Sequence, residues 1–82
     1  MAKVDAKALG LSLGIVWSAA MLILGLTTML WDWGSAWVDL MSSMYIGYEA
    51  TFLGSIIGAI WGFVDAGIGG LIIALLYNKL AK

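Results

Sequence analysis

Two long apolar stretches dominate the chain, and its charged residues lie outside them with one exception. Residues 8–30 carry no charge, and residues 52–77 carry only Asp65. At ~1.5 Å rise per residue, each stretch exceeds the ~20 residues a helix needs to cross hydrocarbon. Neither stretch alternates with period two, so barrel strands do not fit. No proline interrupts either one. The pattern predicts an all-α fold in one unit over residues 1–82. It is a membrane helical hairpin with transmembrane helices over 8–30 and 52–77.

The connector between them is patterned too. Trp33, Trp37, Leu40, Met41, Met44 and Tyr48 fall within about one third of a turn when residues are placed 100° apart. Ser35, Asp39 and Ser42 fall opposite. This spacing predicts a short amphipathic interfacial helix over 33–48, with Ser35 as its N-cap and Gly47 as its stop. Trp31, Trp33, Trp37, Tyr45 and Tyr48 are the expected anchors at headgroup level, where amphipathic rings suit the boundary.

Small residues recur every four positions in the second stretch, at Gly54, Gly58, Gly62, Ala66 and Gly70. Such a ladder lets helix backbones approach closely, a main route to association in lipid. Gly58, Gly62, Asp65 and Gly69 share a narrow face, and Ile56, Ile60, Phe63, Leu71 and Ala74 lie on the far side. In the first stretch Gly10, Gly14, Trp17, Ser18, Met21, Gly25 and Thr28 gather on one side. These faces are expected to serve both the pairing of the two helices and the meeting of neighbouring hairpins.

A carboxylate at bilayer mid-depth is costly unless protonated or partnered, so Asp65 is the candidate functional residue. In an antiparallel hairpin Trp17 and Ser18 stand at its height and are its expected hydrogen-bonding partners. A polar lock between helices, a pore-lining group and a proton-binding site are all open to it.

Composition narrows the classes further. The 82 residues are 63% hydrophobic and 11% charged, too apolar for a small soluble domain. The four lysines are Lys3, Lys7, Lys79 and Lys82, whereas the connector holds Asp32, Asp39 and Glu49. The positive-inside bias then predicts that both termini face the cytoplasm and the connector the opposite side. The first stretch is too long for an ordinary signal-peptide core. Cysteine, histidine and arginine are absent, which removes the usual thiol, imidazole and guanidinium chemistry. No catalytic residue, metal site or cofactor is expected, and a net charge of −1 predicts no nucleic-acid partner.

The run from Gly54 through Gly58, Trp61, Gly62 and Asp65 to Gly69-Gly70 and Tyr77-Asn78 resembles a family of small two-span bacterial membrane proteins, the bacteriophage holins. Lys7-Ala8-Leu9-Gly10, Gly14 to Trp17 and Tyr45-Ile46-Gly47-Tyr48 share the resemblance. It implies hairpins that associate as homo-oligomers in the lipid bilayer and permeabilise it. An accessory subunit packed on a larger membrane complex would use the same faces. A proton-binding rotor hairpin also carries a carboxylate in its second helix, but its polar turn contains arginine, glutamine and proline, absent from this connector.

Overall fold

The computed structural model describes residues 3–81, which form three helices: α1 (Ala6–Trp31), α2 (Ser35–Ser42) and α3 (Phe52–Leu80). α1 and α3 are long and apolar enough to cross a membrane, and they pack antiparallel as a hairpin. The molecule is a rod of 47 × 18 × 18 Å.

Local chemistry sets the helix ends. Asp5 caps α1, its Oδ1 accepting from Ala8 N–H at 3.1 Å, so the helix begins ahead of the uncharged run. Asp32 stops α1 in the left-handed region (φ 56°), and its N–H closes on the Thr28 carbonyl at 2.9 Å. Thr51 caps α3, with Oγ1 accepting from Gly54 N–H at 2.9 Å. α3 continues to Leu80, where Lys79 in the last turn suits the negative end of the helix dipole. The open end of the hairpin is clasped by Asn78. Its Oδ1 accepts from Val4 N–H at 2.7 Å, and its Nδ2 donates to the Val4 carbonyl at 2.8 Å.

The connector departs most from the sequence reading. Its helix covers Ser35–Ser42 rather than 33–48. Gly34, at φ 93°, occupies the N-cap position expected for Ser35. The helix ends early because Ser42 and Ser43 turn their hydroxyls onto the carbonyls of Asp39 and Leu40, at 2.8 and 2.6 Å. Serine hydroxyls compete in this way with the helix's own ladder. Gly47, at φ 91°, serves a later turn.

The connector also folds back along the hairpin. Val38, Met41, Tyr45 and Tyr48 are buried with Met21, and Trp17 and Leu24 pack beside them. These four connector residues are spaced three, four and three apart; Met41 and Tyr48 belong to the apolar face expected from the sequence, whereas Val38 and Tyr45 do not. Trp33, Trp37, Leu40 and Met44, assigned to the apolar face, are exposed. Trp31 is exposed with them at the turn end.

Most of the outer surface of the two long helices is apolar. Ile15, Val16, Ile23, Leu30, Ile60, Ile72 and Ile73 are each more than half exposed. A contiguous apolar surface of this kind marks an interaction with lipid or another protein.

Candidate functional site

The polar residues at mid-height of the rod form one hydrogen-bonded chain. The Trp17 indole Nε1–H donates to the Tyr45 hydroxyl at 2.9 Å, and that hydroxyl donates to Asp65 Oδ2 at 2.6 Å. Asp65 lies 13 residues into α3 from Phe52, about 20 Å along the axis at 1.5 Å per residue. Trp17 lies 14 residues before the end of α1, so the antiparallel pairing brings both to a similar height. Tyr45 comes from the connector and bridges them.

The aromatic groups hold this bridge. The Tyr45 and Trp61 rings stack with centroids 6.0 Å apart and planes 7° apart. Trp61 Nε1–H donates to the Ile46 carbonyl at 2.9 Å and ties the connector to α3. Tyr48 meets Tyr45 edge-on at 6.4 Å, and its hydroxyl donates to the Met21 carbonyl at 2.7 Å. Burial pushes the Tyr45 phenol above its ordinary range, and the hydrogen bond to Asp65 pushes the same way. The phenol therefore keeps the proton that it donates to the carboxylate. Burial also raises the Tyr48 phenol.

Tyr45 is thus a core residue at mid-height and Tyr48 a core residue over Gly58, nearer the turn; neither is exposed as an interfacial anchor would be. Their hydroxyls find partners inside the fold, as buried tyrosines require. Ser18, expected beside Asp65, faces another side and lines a groove with Leu22, Ile56, Ala59 and Ile60. Asp65 itself is exposed, and Ala66 is half-buried.

The glycine ladder packs within the chain. A Cβ on Gly54 would lie 2.7 Å from the Glu49 carbonyl oxygen, and one on Gly58 would strike the Tyr48 ring. A Cβ on Gly62 would lie 3.0 Å from Trp17 Cδ1, and one on Gly70 would lie 3.1 Å from Gly10 Cα. Gly14 faces the Phe63 carbonyl, where a Cβ would lie 2.9 Å away. A four-residue repeat gains about 40° per step against a 3.6-residue turn, so the ladder winds by about 160° from Gly54 to Gly70. Its upper part therefore meets the connector and its lower part meets α1. Ala74, assigned to the far side, is also buried.

Replacing Tyr45 by phenylalanine removes the shared hydroxyl and leaves the Trp17 and Asp65 groups without it. The expected loss is about 1 kcal/mol of stability, set by typical hydrogen-bond contributions in water and in membranes. The Trp17 indole proton resonance should move upfield in the variant. An unchanged resonance together with an unchanged unfolding midpoint would show that the chain of hydrogen bonds does not form.

Comparison with known proteins returns no match to a family model, a curated protein or a solved structure.

Proposed function

We propose that the chain is a small integral membrane protein of the bacterial inner membrane whose copies associate and permeabilise it, in the manner of a holin. The observation that carries this reading is the exposed apolar surface of α1 and α3, broken at mid-height by exposed Asp65. An apolar rod of this length suits hydrocarbon, and a carboxylate at that depth is a functional feature by default.

In this reading Trp31, Trp33 and Trp37, exposed at the turn end, sit among headgroups. α2 starts at that interface and runs inward along the hairpin. Lys3, Lys7 and Lys79 stand at the opposite end and favour cytoplasmic termini. Copies join on the side that the connector leaves open. There two grooves run end to end between α1 and α3, sharing Phe63 and Val64 and passing Ser18, Ala59 and Gly67. The small residues on that seam permit close approach, while the ladder glycines are already covered by their own chain.

Induced expression in bacteria loaded with a potential-sensitive dye tests the reading. Abrupt depolarisation is expected once the protein has accumulated. A membrane fraction rich in the protein, in cells that keep their potential, would eliminate permeabilisation and favour an accessory role in a larger complex.

A further inference from the structure

A groove of about 380 Å³ opens beside the carboxylate, lined by Met44, Tyr45, Trp61, Val64, Asp65 and Ile68. Its chemistry is specific. One carboxylate oxygen, Oδ2, is held by the Tyr45 hydroxyl. Among the described residues no lysine lines the groove, and Lys3, Lys7 and Lys79 stand near the two chain ends, away from it. Two aromatic rings, Tyr45 and Trp61, stand stacked at the same groove, and the rest of the lining is apolar.

We propose that this groove binds a lipophilic monovalent cation, a quaternary ammonium or phosphonium carrying apolar substituents. The carboxylate supplies the opposite charge in surroundings that screen it little. Trp61 and Tyr45 offer ring faces and edges suited to a diffuse, weakly hydrated cation. Met44, Val64 and Ile68 take the apolar substituents, with the thioether of Met44 adapting to their shape. A metal ion fits poorly, since a single carboxylate offers too few oxygens for a hard cation. The groove opens on the connector side of α3 and shares Val64 and Ile68 with the grooves of the open seam. The carboxylate and both rings lie outside the seam grooves, and the titration below reads cation binding without any readout of self-association.

The full chain in mild detergent, with its tryptophans 15N-labelled, provides the test. Tetraphenylphosphonium is titrated against it, with uncharged triphenylphosphine oxide as the control of similar shape. The Trp61 indole resonance, assigned from Trp61→Phe, should shift saturably with the cation and stay in place with the oxide. Asp65→Asn should weaken binding by about tenfold or more, and Asp65→Glu should retain it. Equal shifts from the cation and the oxide would overturn the proposal, as would the absence of a saturable shift in the wild type. That comparison needs no variant, so it stands if Asp65→Asn fails to fold. A well-folded Asp65→Asn protein that binds as tightly as the wild type would also overturn it.

Discussion

Replacing Gly58 by leucine is expected to release the connector from the hairpin and to lower stability by about 3 kcal/mol, the combined scale of overpacking and of losing a buried aromatic. A Cβ at this position would lie 2.9 Å from Tyr48 Cγ and closer still to the ring edge. Tyr48 cannot yield cheaply. It is 2% exposed and its hydroxyl is committed to the Met21 carbonyl. The ring must therefore leave its seat, and the Tyr45 and Trp61 contacts above it loosen. Amide hydrogen exchange over residues 43–48 should accelerate sharply, while the middle of α1 stays protected. Gly58→Ala should act in the same direction with a smaller effect. In a Tyr48→Ala background that smaller effect should nearly vanish, because the two sites share one contact. Protection at wild-type levels in Gly58→Leu would place Tyr48 elsewhere.

Gly25→Leu is expected to open the hairpin itself near the turn, at a comparable loss of about 3 kcal/mol. The first atom of the new side chain would fall on the Ser55 hydroxyl and lie 3.2 Å from Ser55 Cα. Ser55 is fully buried, and its Oγ donates to the Thr51 carbonyl at 2.6 Å, so neither side chain nor backbone has room to give. Apolar burial drives helix pairing weakly in lipid, where close packing carries most of the association. Separation at this point should therefore weaken the whole α1–α3 contact. Helix pairing can be followed by energy transfer between labels near residues 9 and 75 during titration with a denaturing detergent. The Gly25→Leu midpoint should fall, and Gly25→Ala combined with Ser55→Gly should recover most of the loss. A midpoint equal to wild type in Gly25→Leu would mean that α1 and α3 cross elsewhere.

These two positions show how differently parts of this fold can be read in advance. The buried side of α1 follows from spacing, because a straight helix packed against one neighbour repeats its contacts every three or four residues. Gly10, Gly14, Met21, Gly25 and Thr28 are the residues that α1 buries. The ladder of α3 is less transparent. Its glycines look alike in the sequence, yet Gly54 and Gly58 lie under the connector while Gly62 and Gly70 lie against α1. Which neighbour covers each one depends on how far the connector reaches.

The connector was legible as a helix but not in its placement. Two apolar stripes can be drawn through it, both passing Met41 and Tyr48: one adds Trp33, Trp37, Leu40 and Met44, the other Val38 and Tyr45. Ring size favours the first as the anchor, whereas packing selects the second. The deciding feature is non-local. The phenol of Tyr45 finds both a donor on α1 and an acceptor on α3 at one height, and Tyr48 finds a glycine-sized gap.

Charge spacing and apolar run length alone set the element types, the two long rods and the height of Asp65 along its helix, since these follow from rise per residue and local hydrogen bonding. The partner of Asp65 was settled by the assembled fold. Trp17 and Ser18 stood at the right height in the sequence, but height leaves angle unspecified. The connector's return brought a tyrosine from 20 residues away into the gap, and its hydroxyl satisfies Trp17 and Asp65 together. Long-range closure of this kind depends on the mutual fit of three segments, which no single stretch of chain encodes.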